Sequence, residues 1–152
     1  MEITDAQYRR LAAFRRLLRE FLEFSASKAG EQGLQPQQHQ LMLAIRGLPA
    51  GREPSVGELS AAMLLAPHTV SELTDRLETG GLVKRTRSTR DRRVALVELT
   101  AKGRGVLARL SSAHLAELLE YGPRLASSLS ALTSEEESVG NRSGSGRRRH
   151  AR

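Results

Sequence analysis

Apolar residues recur every three or four positions along most of this chain, the spacing of amphipathic helices. The first stripe is Tyr8, Leu11, Phe14, Leu18, Phe21 and Leu22. Its helix can be capped by Thr4 or Asp5 and runs to about Lys28. Leu17 and Phe24 widen the stripe beyond what a simple surface helix needs, so this face is core, partner surface or both. GEQGLQP breaks the pattern, and Pro36 suits the first turn of a second helix, Pro36–Arg46, with Leu41, Ala44, Ile45 and Leu48 inward. GLPAGREP is a loop. Ser55 and Glu58 form a capping box before a short helix that buries Leu59, Ala62 and Met63. Pro67 then opens a helix over Pro67–Thr79, with Val70, Leu73 and Leu77 on one face beside Ala66 and Thr74.

The period changes after Gly80–Gly81, which can end that helix. LVKRTR and VALVEL alternate as strands around the polar turn STRDR. In the second strand Val94, Leu96 and Glu98 point one way, and Ala95, Val97 and Leu99 the other. Thr100 caps a long helix carrying Val106, Leu107, Leu110, Ala113, Leu118 and Leu119, although Gly103 and Gly105 weaken its start. Gly122–Pro123 is expected to kink or end it, Arg124–Leu132 to form a further segment, and Thr133 with Glu136 to cap one more short helix. After Val139 comes GNRSGSGRRRHAR, apolar-poor, low-complexity and expected to be disordered. The fold class is therefore mainly α with a small β wing, divided into 1–32, 33–100, 101–139 and a basic tail 140–152.

A chain of 152 residues can hold one domain with a sizeable core, and with 3% aromatics and no Trp that core must be Leu, Ala and Val. The absence of Cys excludes disulfides and thiolate metal sites. No run approaches the ~18 apolar residues of a membrane span, and MEITDAQYRR lacks an apolar leader core, so a cytoplasmic location without membrane contact is expected. Charge alters the picture more. Of the net +7, Leu82–Gly105 carries +6 and the tail from Asn141 carries +5, leaving the rest at −4. A basic stripe on an acidic body is a nucleic-acid footprint.

Two short helices at a tight turn followed by a ribbon match a winged helix-turn-helix. A helix entering the major groove needs a buried face to hold it and small polar groups to approach base edges. His68, Thr69 and Ser71 supply the latter, and Arg76 is long enough for a phosphate or a guanine. Glu72 and Asp75 repel phosphates. One could accept from a cytosine amino group, and Asp75 could pair with Arg76 or with a wing arginine. Ser55 opens the first helix of the motif, and Arg87, Arg90, Arg92 and Arg93 surround Asp91 on the ribbon, where arginine suits a narrow minor groove. Asp91–Arg93 could equally staple the hairpin, and Arg90 and Arg92 could only position the backbone. His39, His68, His114 and His150 are scattered, with no partner at ligand spacing, and His39 reads as a helix-surface or pocket-rim residue. No metal site, cofactor cradle, nucleophile–base set or paired-carboxylate cleft stands out, so neither cofactor nor enzyme activity is expected.

At GELSAAM…PHTVSELTDRLETGGLVKR and RDRRVALVELTAKG the chain resembles the MarR family of bacterial winged helix-turn-helix regulators. The likeness runs from the first helix through Leu132, and its marks are Asp91 and Arg93 in the wing, Leu99–Thr100, and a Lys102–Gly103 helix start. The resemblance implies a homodimer with interleaved terminal helices and two lobes on successive turns of double-stranded DNA. It implies repression relieved by a small anionic or aromatic effector, and makes Arg93 the inserted or phosphate-contacting group with Asp91 orienting it. The pocket it would use is expected at Phe14, Leu18, His39, Leu41 and Ile45, which ordinary core also explains. The chain departs from the family at its C-terminus, where a truncated last helix leaves less apolar surface for a dimer. The competing function is a winged-helix protein-interaction module, a co-regulator or antirepressor without its own operator. A ligand-sequestering protein is a third.

Overall fold

The computed structural model describes residues 2–140, with side chains through residue 134. Five helices and one two-stranded sheet occupy that range: α1 (Asp5–Glu31), α2 (Pro36–Gly47), α3 (Val56–Met63), α4 (Pro67–Thr79), β1 (Val83–Arg87), β2 (Ala95–Leu99) and α5 (Ala101–Gly140). The expected winged helix-turn-helix is thus present as a mainly helical fold with a small β wing. Apart from Gly140, which ends α5, the basic tail lies outside the described residues. Two compact units divide the chain, one holding Ser25–Leu115 and the other the residues up to Phe24 and from Ala116 onward. The divisions fall inside α1 and α5, whereas the sequence suggested breaks after residues 32 and 100.

The lobe Ser25–Leu115 contains the core. Leu41 and Met42 of α2, Leu59 of α3, Val70 and Leu77 of α4, and Val97 of β2 are essentially solvent-free, each burial contributing roughly 1.5–3 kcal/mol. Two buried hydroxyls in the helices are satisfied locally: Thr74 Oγ1 donates to the Val70 carbonyl at 2.8 Å and Ser60 Oγ to the Val56 carbonyl at 2.7 Å. On α3, Ser60 is buried and Ala62 exposed, the reverse of the expectation for Ala62. The capping box forms only in half. Ser55 Oγ accepts from the Glu58 N–H at 3.2 Å, but the Glu58 carboxylate turns to Arg52 at 2.8 Å. Leu64, 91% exposed, ends α3 in the left-handed region at φ 54, the tight turn of the motif.

β1 and β2 pair antiparallel from Val83↔Leu99 to Arg87↔Ala95. The other edge of β2 is closed by the segment before α3, through a Ser55↔Leu96 bridge and a 2.8 Å bond from the Val97 N–H to the Pro54 carbonyl. Leu96 and Val97 are consequently both buried, although they point to opposite faces.

His39 is corrected from a surface or rim residue to a buried one, 3% exposed, with its ring stacked on His114 at 4.8 Å. Neither ring nitrogen of His39 has a hydrogen-bond partner among the described residues. Burial, then the neighbouring His114, depresses its pKa below the usual histidine range, and burial depresses that of His114 against an opposing Ser25 backbone hydrogen bond. A histidine that prefers to be neutral when folded supplies stability that is present above its unfolded pKa, about 6.5, and lost as pH falls through the lower folded value. The thermal midpoint should therefore drop as pH is lowered from 7 to 5, and less steeply in His39→Leu. Equal slopes in the two proteins would contradict this.

In the second unit, α1 leaves its stripe uncovered, with Tyr8, Leu11, Leu18 and Leu22 exposed and Phe14 and Phe21 half-buried. Tyr121 of α5 donates its hydroxyl to the Glu20 carboxylate, which also receives Arg16 at 2.9 Å, while Arg124 stacks over the Tyr121 ring at 5.0 Å. α5 is one helix of 40 residues, so of the two outcomes expected at Gly122–Pro123 the helix does not end there, and the fresh cap expected at Thr133 is corrected. Gly122 has no Cβ to clash with the following proline ring. Pro123 is exposed, so the helical bond it cannot make faces solvent. Thr133 Oγ1 donates back to the Leu129 and Ser130 carbonyls, as hydroxyls inside helices do. No helix among the described residues is long and apolar enough to cross a membrane.

Candidate nucleic-acid interface

α4 starts at Pro67, whose missing N–H costs nothing in a first helical turn, and is held by Val70, Leu73, Thr74 and Leu77. That leaves His68 exposed and Thr69 and Ser71 half-buried at its N-terminal end. Arg76 is exposed, but its Nη1 donates to Gln35 Oε1 at 3.2 Å, which ties it to the start of α2. Asp75 pairs with a wing arginine, one of the two partners expected for it: Arg85 Nη2 reaches Asp75 Oδ1 at 2.6 Å. The same guanidinium binds the Glu78 carboxylate, which also accepts the Arg85 backbone N–H at 3.3 Å. Both bonds hold the Arg85 charge in place, and its pKa is raised despite burial. Glu72 is exposed and makes no ion pair among the described residues.

The wing is built around Ser88, which is 1% exposed. Its hydroxyl donates to the Glu53 carboxylate at 2.8 Å and accepts the backbone N–H groups of Arg90 and Asp91 at 3.1 and 3.3 Å. The turn closes through Ser88 N–H to the Val94 carbonyl at 3.0 Å. Arg90 folds back, its Nη1 on the Gly51 carbonyl at 3.1 Å. Asp91 Oδ1 accepts the Arg93 backbone N–H at 3.0 Å and its Nε at 3.2 Å, and Oδ2 accepts Nη2 at 3.3 Å. These bonds hold the Asp91 carboxyl below the usual carboxylate range. The staple therefore exists, yet the Arg93 side chain is 91% exposed beyond it. Arg87 Nη1 reaches the Arg93 carbonyl at 3.4 Å. Arg92 is exposed with no hydrogen bond or ion pair among the described residues. Ser55 is half-buried and occupied as the α3 cap.

Sequence reasoning missed Arg85, Ser88 and Glu53 as organising groups. A serine opening a polar turn is a recognisable signal for an ST-turn. Nothing local marks Glu53, which lies 35 residues from Ser88. The five expected pocket residues are not gathered in one place within either unit. Phe14 and Leu18 lie on α1 before Phe24, while Leu41 and His39 are buried in the lobe. Ile45 lines a cavity of about 270 Å3 with Arg46, Pro54, Val97, Glu98, Leu99 and Arg104. No group of three or more potential metal ligands occurs among the described residues.

A model of the MarR family matches residues 32–94, from just after α1 to just before β2. The HTH-type transcriptional repressor MdtR of Bacillus subtilis (strain 168) is 32% identical over 101 residues, 66% of this chain. Over these residues the chain is similar to the MarR family. The match spans 61% of the length of MdtR. Among solved folds, the MarR-family regulator AbsC from Streptomyces coelicolor superposes with a TM-score of 0.70 at 18% identity, covering 93% of this chain and 99% of AbsC. A mutant MarR from E. coli complexed with operator DNA superposes at 0.60 and 18% identity, over 82% of this chain and 89% of that one. These likenesses confirm the winged fold.

Proposed function

We propose that this chain is a MarR-family, sequence-specific, double-stranded-DNA-binding transcriptional regulator, a ligand-responsive repressor that binds a pseudopalindromic operator as a homodimer. The carrying observation is the braced wing, which holds Arg92 and Arg93 out in solvent beside a helix-turn-helix with His68, Thr69 and Ser71 at its open end. A preformed cationic tip loses little entropy on meeting a phosphate or a minor groove. In this reading residues 33–100 form the DNA-binding lobe, and 1–32 and 101–139 the dimerisation helices. The uncovered stripe of α1 and the exposed Leu118, Leu119 and Leu129 of α5 support a second copy, because such apolar surface marks association. The effector is a small aromatic or anionic molecule, and the cavity at Ile45, walled partly by β2 of the wing, supports a response to it.

Selection from random duplex DNA tests the reading. It should enrich an inverted repeat with half-sites about 10 base pairs apart. Non-specific binding without any enriched repeat would favour the protein-interaction module, for which the unpaired Glu72 on the outer face of α4 speaks.

A further inference from the structure

The recognition helix of a DNA-binding lobe carries an apparent fault here: Glu72, Asp75 and Glu78 lie on or beside its exposed side. The structure shows a device against two of them. Val70, Leu73, Thr74 and Leu77 fix the buried face of α4, which puts Asp75 on the outward side and Glu78 on the flank toward β1. From β1, Arg85 swings across both carboxylates, at 2.6 Å from Asp75 and in direct contact with Glu78. Its neighbours in the strand do otherwise. Lys84 faces Glu98 at 3.6 Å, and Arg87 reaches the Arg93 carbonyl. The Arg85 side chain is also only 32% exposed, far less than that of Arg93, so it is committed to α4 rather than extended to solvent.

We propose that Arg85 is a charge-masking residue of the DNA interface, and the inference rests on the DNA-binding reading above. Its one positive charge reduces the pair of carboxylates at the end of the recognition helix from −2 to a shared −1. It also turns their oxygens toward the guanidinium and away from an approaching phosphate backbone. A bidentate arginine between two carboxylates does this better than lysine, because its planar fork engages both at once. Arg85 thereby serves binding without touching DNA, and the outward cations of the wing act on phosphates whose repulsion from the Asp75–Glu78 pair is already halved. Glu72, which no arginine covers, is left free for a base contact.

The test uses the full chain, a labelled random-sequence duplex at low salt, and three variants: Arg85→Gln, Asp75→Asn with Glu78→Gln, and all three together. Masking predicts that Arg85→Gln weakens binding on the order of tenfold, since it uncovers two like charges. The double variant binds as tightly as the unaltered chain or more tightly, and the triple variant returns to within about twofold of it. Two results overturn the proposal. If the double variant is as weak as Arg85→Gln, the cluster only pins β1 to α4. If the triple variant stays as weak as Arg85→Gln, Arg85 itself contacts phosphate. Failure of the unaltered chain to bind any duplex is a separate result, and it removes the DNA-binding reading with the masking that rests on it.

Discussion

Gly103→Ala is expected to lower the unfolding free energy by about 3 kcal/mol or more, a large share of the ~5–15 kcal/mol that holds a typical domain together. A Cβ at this position would lie 2.0 Å from the Leu82 carbonyl oxygen and 2.9 Å from its carbon. Both are backbone atoms, so no rotamer change can relieve the clash. The backbone cannot retreat easily either. Leu82 is a core residue, and its carbonyl accepts the Thr100 N–H at 3.0 Å. Thr100 Oγ1 donates to the Gly81 carbonyl at 2.6 Å, and Lys102 Nζ reaches the Gly80 carbonyl at 2.9 Å. Three bonds thus weld the start of α5 to the corner where α4 turns into the wing, and Gly81 makes that corner at φ +70. Urea unfolding followed by helical circular dichroism measures the loss. Gly105→Ala is the control: its Cβ would meet only Arg109 Nη1 at 3.8 Å, so the gain in helix propensity, up to ~1 kcal/mol, should leave stability unchanged or raised. Similar effects at the two glycines would show that the corner can relax.

Gly103 also shows what a sequence can and cannot disclose. Read locally, a glycine in a first helical turn only weakens the helix; its reason is a backbone neighbour that arrives from another element. The same division runs through the fold. α4 was legible to its end residues because its signals are local, with Pro67 at the start, Gly80–Gly81 at the stop and Val70, Leu73 and Leu77 between them. α5 does not end at Gly122–Pro123 because the cost of a proline depends on which way its ring faces, and Pro123 faces solvent. The stacking of His39 on His114 joins two helices distant in sequence, and no spacing rule reaches across them. In the wing, the charge of the tip and the Asp91–Arg93 pairing could be read two residues apart. A wing arginine on Asp75 was also readable as one alternative, but the Glu53–Ser88 brace and the reach of Arg85 on to Glu78 are tertiary and could not be read.

Arg92→Ala combined with Arg93→Ala should weaken duplex binding about 100-fold at moderate salt, or ~1.4 kcal/mol for each arginine. It should also reduce the steepness of the log–log salt dependence by about 2, since each lost phosphate contact removes roughly 0.9 from the slope. The two residues differ in how they are held, which gives the single variants distinct signatures. Arg92 has no partner among the described residues and should act as a plain cation, so Arg92→Lys retains most of its effect. Arg93 is aimed by Asp91 through its Nε and Nη2, an arrangement a lysine cannot reproduce. Arg93→Lys should therefore lose most of what Arg93→Ala loses. Asp91→Asn, by contrast, removes an acid that would favour binding on charge alone, but frees Arg93 from its aimed position. Weaker binding in Asp91→Asn means orientation outweighs charge at the tip, and tighter binding means the reverse. Arg90→Ala discriminates further. Because Arg90 is tied to the Gly51 carbonyl, its loss should leave the salt slope nearly intact and act only by loosening the turn. A double variant at Arg92 and Arg93 that kept both affinity and slope would take the wing off the DNA altogether, leaving only α4 to bind it.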